Sequence, residues 1–311
     1  MSDNRPPSLA ARLVNRYLRL TMKRLPLHQM APDELRYWFE NRRLPFIPKG
    51  VDVELVESGK VVGEWQRPRA GGAGVLLYIH GGGYIFGSPR VYRTLTFRLA
   101  LAAGVNVFAL RYRLAPESLC PAPIEDALAA YEHLLKSGFR PDEIVLGGDS
   151  AGGGLALATL QALLAKGAPQ PAGAVLYSPW TDLSASGASV ARNAESDCMF
   201  REETVRAGGR RYAGTLDLKD PRVSPLFGDF RGMAPLLVFA SSSEMLHDDS
   251  VRLVERARAQ GASVRFEESA GLAHVWPLLA ALMPEGREAI ATTAGFIRER
   301  IKAPASQRKA A

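Results

Sequence analysis

The chain has 311 residues, 47% of them hydrophobic and 23% charged, which excludes a disordered or fibrous protein and suits one large α/β domain with a sizeable core. The formal charge of +7 arises from 39 basic and 32 acidic residues without a dominant basic block, so it reads as a solubility charge and not as a nucleic-acid surface. Two isolated cysteines, Cys120 and Cys198, match no metal spacing and point to a reduced, cytoplasmic protein; no His, Cys, Asp or Glu cluster has ligand spacing, so no metal is expected.

The N-terminus is polar and then basic-amphipathic, without the apolar stretch of a signal peptide. No apolar run reaches the roughly 18 residues of a membrane span, so no integral membrane segment is expected. Residues 1–50 show helical patterns and no strand partner. Their stripe of Leu9, Leu13, Tyr17 and Leu20 is expected to pack on the protein and border its pocket; for Leu9 to Met22 a membrane surface is the alternative. VDVELV (51–56) and VVGEW (61–65) read as an antiparallel hairpin at a sheet edge. From residue 74, apolar strands alternate with helical stretches: VLLYIH (75–80), VNVFALRY (105–112), EIVLGGD (143–149), AGAVLYSP (172–179), PLLVFASS (235–242) and SVRFEES (263–269). Nearly continuous apolar runs in βαβα order predict a mostly parallel, doubly wound sheet of about eight strands. The core is therefore assigned to 51–184 and 233–303. Residues 1–50 and the polar insertion 185–232 read as a helical cap, and 304–311 as a tail.

Gly148-Asp149-Ser150-Ala151-Gly152 carries the strongest chemical signal. It follows a strand and opens a helix, the setting of a Gly-x-Ser-x-Gly nucleophile turn. The glycines let strand and helix approach a sharp bend, and Ser150 stands at a helix N-terminus, where the dipole favours developing negative charge. His80-Gly81-Gly82-Gly83-Tyr84 follows the strand VLLYI. The N–H groups of Gly81, Gly82 and Gly83, with that of Ala151, are candidate donors to an oxyanion, and Tyr84 is a candidate substrate contact. No Gly-Lys-Ser/Thr ending marks a phosphate loop.

Of five histidines only His247 and His274 follow Ser150. His274 lies in the loop after the strand SVRFEES, as a general base requires. The acid belongs after LLVFASSS, where Glu244, Asp248 and Asp249 are available. Glu244 comes directly at the strand end, whereas Asp248 and Asp249 suit the first turn of the next helix.

Together HGGGY (80–84), YRLAPE (112–117), PAPIEDAL (121–128), GDSAGGG (148–154), SPWTDLS (178–184), DPRVSPL (220–226), EMLHDDS (244–250) and HVW (274–276) resemble the hormone-sensitive-lipase family of α/β-hydrolases, in its bacterial carboxylesterase and acetylhydrolase branch. The resemblance implies an α/β-hydrolase fold with a helical cap and hydrolysis of short- to medium-chain acyl esters through Ser150, His274 and Glu244. It also implies no cofactor and a small-molecule ester as partner. Asp149 resembles the residue that braces turn and loop in such enzymes, and YRLAPE a structural motif. Glu244 stands where the family usually has Asp. Family members often pair through the sheet edge, so a homodimer is among the expectations. A lactone or amide hydrolase is the alternative activity; a non-catalytic ligand-binding protein is a further one, disfavoured by the presence of His274.

Overall fold

A computed structural model describes residues 2–3, 5–41 and 48–301. In chain order the elements are β1 (Ser2–Asp3), α1 (Leu9–Leu20), α2 (Pro32–Glu40), β2 (Val51–Ser58), β3 (Val61–Pro68), β4 (Val75–Ile79), α3 (Pro89–Ala103), β5 (Asn106–Leu110), α4 (Ala122–Lys136), β6 (Ile144–Asp149), α5 (Ala151–Ala165), β7 (Gly173–Tyr177), α6 (Ser189–Arg192), α7 (Glu202–Ala213), β8 (Leu236–Ser241), α8 (His247–Ala259), β9 (Val264–Ser269) and α9 (Pro284–Arg300). The strands form one sheet in the order β1-β9-β8-β7-β6-β4-β5-β3-β2. Among the described strands only the β2–β3 and β3–β5 pairings are antiparallel, which bears out the hairpin at the edge and the parallel centre.

The central strands are apolar on both faces because each face carries a helical layer. Along β4, Leu77 and Ile79 join one cluster with residues of α4, α5 and α8, while Leu76 and Tyr78 join the other with α3 and α9. A period of two sends neighbouring residues to opposite layers, so a continuous hydrophobic run is what such a strand needs. Fully burying one leucine of this kind contributes roughly 1.5–3 kcal/mol.

Residues 1–50 do contribute a strand, contrary to expectation. Ser2 and Asp3 pair in parallel with Glu268 and Ser269 of β9, an element too short to leave a periodic signal. Helix α1 also presents the opposite face from the one expected. Ala11 and Leu18 are buried and Val14 partly so, whereas Leu9, Leu13, Tyr17 and Leu20 are exposed. The helix carries two apolar stripes, and periodicity alone does not say which one meets the core. The proposed tail, 304–311, lies outside the described residues.

Candidate active site

In a parallel sheet the loops leaving the carboxyl ends of neighbouring strands converge on one edge. Ser150 follows β6, Glu244 follows β8 and His274 follows β9. Ser150 is the N-cap of α5 at φ 53°, ψ −124°, a strained conformation for a residue with a side chain. Its backbone is held by Ser150 N–H to Tyr177 O (2.8 Å) and by Trp180 N–H to Ser150 O (2.9 Å). The flanking glycines are a steric requirement. A Cβ at Gly148 would lie 2.4 Å from Gly152 O, and one at Gly152 would lie 2.1 Å from Ile79 O.

His274 is buried, and its Nδ1 is hydrogen-bonded to Glu244 Oε2. The other Glu244 oxygen accepts from Ser241 N–H (2.8 Å), which fixes the carboxylate at the strand end. His274 Nε2 has no hydrogen-bond partner among the described residues, and the ring lines the same cavity as Ser150. Burial alone would lower the imidazole pKa. The Glu244 carboxylate, through charge and hydrogen bond, with Asp197 and Asp149 beyond it, outweighs burial and holds it above the ordinary value. The next residue, Val275, sits at φ 53°, uncommon for a β-branched side chain, and its N–H donates to Ser178 Oγ (3.1 Å). That bond pins the loop carrying the histidine.

The other two acids are occupied elsewhere. Asp248 pairs with Arg192 (2.7 Å) and accepts from Ser189 N–H. Asp249 is buried and accepts from Thr181 N–H and Asp182 N–H, and burial pushes its pKa up to about 8. Both hold the segment after β7 against α8.

Among the candidate donors, Gly82 and Gly83 line the cavity, and Gly82 has φ 112°, where a Cβ would strike Phe86 O at 2.0 Å. Gly81 differs: its N–H donates to Asp149 Oδ1 (3.0 Å), which removes it from the oxyanion donors. Asp149 Oδ1 also accepts from Tyr78 O–H (2.7 Å), so this carboxylate ties the glycine loop to the nucleophile turn. Burial raises the Asp149 pKa to about 6, against the pull of its hydrogen bonds. A Cβ on Gly81 would lie 2.3 Å from Asp149 Oδ2. Gly81→Ala is therefore expected to lower both the melting temperature and kcat/KM, the latter by roughly tenfold or more. An unchanged melt with unchanged kcat/KM would contradict this brace. Tyr84 does not line the cavity. Its ring is buried and stacked on Tyr212 (centroids 3.7 Å apart, planes at 6°), and Ile85 and Phe86 take the place expected of it. His80 is buried between Tyr92 and Tyr112, and burial lowers its pKa to about 4, so it stays neutral.

The cavity measures about 190 Å³. Its walls come from the sheet edge, from the N-terminal segment (Leu18, Met22, Leu27, Leu35, Phe39) and from the insertion (Met199, Phe200, Val205). These two segments are stitched together by cations on carbonyl oxygens: Arg19 on Glu195 O, Lys23 on Ala194 O and Asp197 O, and Arg211 on His28 O. Arg36 joins α2 to the glycine loop, donating to Ile85 O, Ala115 O and Glu117. Within YRLAPE, Arg113 is bound to buried Asp126 and Glu117 to Arg36, so the motif serves as structure.

Sequence reasoning missed Asp197. It is buried, and its carboxylate accepts from Met199 N–H (2.7 Å), Phe200 N–H (3.0 Å) and Met245 N–H (2.9 Å). It thereby joins the cavity wall, where Phe200 meets the His274 ring edge-on at 5.0 Å, to the residue after Glu244. Its one sequence signal is weak: an Asp with a free N–H two residues on, as in an Asx-turn.

The alpha/beta hydrolase fold family matches residues 76–278. The chain is 43% identical over 252 residues to an acetyl-hydrolase of Streptomyces hygroscopicus, covering 81% of this chain and 83% of that protein. It is 34% identical to an esterase of Acinetobacter venetianus, over 90% and 93% of the two chains. A crystal structure of an esterase from the bacterial hormone-sensitive lipase family superposes with a TM-score of 0.88 at 37% identity, covering 96% of this chain and all (100%) of the other. The chain belongs to the hormone-sensitive lipase family of α/β-hydrolases. It is a serine ester hydrolase. Among the described residues of this hydrolase, no three His, Cys, Asp or Glu side chains are grouped to hold a metal ion, and no helix is long and apolar enough to cross a membrane.

Proposed function

We propose that this hydrolase cleaves short- to medium-chain acyl esters through an acyl-enzyme on Ser150, with His274 as general base and acid and Glu244 as its orienting partner. One observation carries the reading. The His274 ring is bound at Nδ1 by a buried carboxylate, and its Nε2, without a partner among the described residues, belongs to a ring that borders the cavity Ser150 enters from a helix N-terminus. In this mechanism Nε2 takes the Ser150 proton as Oγ attacks the ester carbonyl. The tetrahedral oxyanion is received by the N–H groups of Gly82, Gly83 and Ala151. His274 then protonates the leaving alcohol, and water repeats the sequence to release the acid. Residues 1–50 and 185–232 act as a two-part cap. Its apolar side chains enclose a limited volume and favour short and medium acyl groups.

A panel of p-nitrophenyl esters of graded chain length, with matching lactones and an anilide, tests the reading. Short and medium esters should give the highest kcat/KM. A lactone or anilide outpacing the matching ester would establish the alternative activity.

Neutral His274 is required for attack, and its pKa is raised. Activity should therefore fall as the pH drops through a value above the ordinary histidine range. In Glu244→Gln the neighbouring anion is gone, so the acid limb of the residual activity should move to lower pH. A limb that stays in place would contradict the pairing.

A further inference from the structure

Helix α1 has a face that the ester-cleaving site does not use. Ala11 and Leu18 turn inward, and Leu18 and Met22 just beyond it border the cavity. On the opposite face Leu9, Leu13, Tyr17 and Leu20 are exposed by 70%, 60%, 57% and 48%. At 100° per residue these four side chains fall within about 80° of arc. Among the described residues they make up four of the ten exposed large hydrophobics, gathered on a single helix. Scattered exposed leucines are ordinary, but a contiguous stripe marks a surface that something covers.

Charge indicates what that is. Arg12 and Arg16 lie along one flank of the stripe, are exposed, and take part in no ion pair among the described residues. Helix α1 contains no acidic residue. A second copy of the chain seated on this stripe would bring four arginines together without a carboxylate from either helix. An apolar stripe flanked by arginines, on a helix of low overall hydrophobicity, is instead the pattern of a helix lying in the interface of a bilayer with anionic headgroups.

We propose that the outer face of α1 docks this hydrolase on an anionic phospholipid surface, with Leu9, Leu13, Tyr17 and Leu20 in the interface and Arg12 and Arg16 among the headgroups. The opposite side of the same helix leads to the cavity, so docking would hold the cap against the membrane. The attachment is peripheral and goes beyond ester cleavage. It is read by binding, so its failure and that of the catalytic reading are separable.

The test is co-sedimentation of the full chain with vesicles of equimolar phosphatidylcholine and phosphatidylglycerol, and with phosphatidylcholine vesicles alone, at low and high salt. Light scattering in parallel gives the oligomeric state. The expected result is binding to the anionic vesicles that weakens at high salt, and little to the neutral ones. Leu13→Ser/Tyr17→Ser and Arg12→Gln/Arg16→Gln should each lower partitioning by about tenfold or more. Both should still hydrolyse p-nitrophenyl butyrate in the absence of vesicles, which shows that they are folded. If the first variant fails to fold, the arginine variant and the salt dependence still decide the matter. Three results would overturn the proposal: no binding of the wild type to anionic vesicles, binding that a folded variant leaves unchanged, or a wild-type dimer that Leu13→Ser/Tyr17→Ser dissolves.

Discussion

Ser150→Ala is expected to lower kcat by about 10⁴-fold or more while leaving the fold intact. The side chain contributes nothing to the turn that holds it. The hydrogen bonds at Ser150 run from its backbone to Tyr177 and Trp180, and the close packing is made by Gly148 and Gly152. Alanine keeps the backbone and inherits the same positive φ, so stability should change little. Chemistry is different, because in the proposed mechanism loss of Oγ leaves no nucleophile for His274 to deprotonate and no acyl-enzyme. What remains is the catalysis supplied by the oxyanion donors and by binding alone. The measurement is kcat on p-nitrophenyl butyrate together with a thermal melt. A folded variant within tenfold of the wild type would remove Ser150 from the mechanism.

The second large effect separates Glu244 from its neighbours. Glu244→Gln should lower kcat by about 10⁴-fold, whereas Asp248→Asn should stay within tenfold. Glu244 is 1% exposed and divides its oxygens between Ser241 N–H and His274 Nδ1. An amide in its place can turn a donor toward the ring, favouring the wrong tautomer, and it offers no charge to the imidazolium that forms. Asp248 faces Arg192 and Ser189 at the surface of the insertion, so its loss should register in the thermal melt rather than in turnover. A dead Asp248→Asn beside an active Glu244→Gln would reverse the assignment. The methylene by which Glu244 exceeds the usual Asp is no obstacle, since the carboxylate reaches the ring from the end of β8.

Legibility in the sequence followed the strength of the local constraint. Strands β4 to β8 were readable to within two residues because burial on both faces demands unbroken apolar runs, as in VLLYI and IVLGG, whereas β9 (VRFEES) is only partly buried and carries no such run. The nucleophile turn was readable because only glycine fits beside Ser150, and His274 because it follows a strand. Tertiary choices were not. Helix α1 offers two apolar stripes, and the sequence does not say that Leu18 rather than Leu13 meets the cavity. The three glycines after His80 look equivalent, yet only contact with Asp149 commits the Gly81 N–H to bracing. Tyr84 reads as a pocket residue until α7 brings Tyr212 over it. Asp197 lies about fifty residues before the loop it supports, with nothing local to mark it.

If Ser150 is a nucleophile activated in place, covalent trapping will find it. The intact protein would be treated with a fluorophosphonate ester and digested, and the modified peptide located by mass spectrometry. One adduct per chain is expected, on Ser150, with activity lost in step with labelling and no adduct in Ser150→Ala. Full inactivation with the label on another residue, or an unlabelled Ser150 in an active preparation, would contradict it.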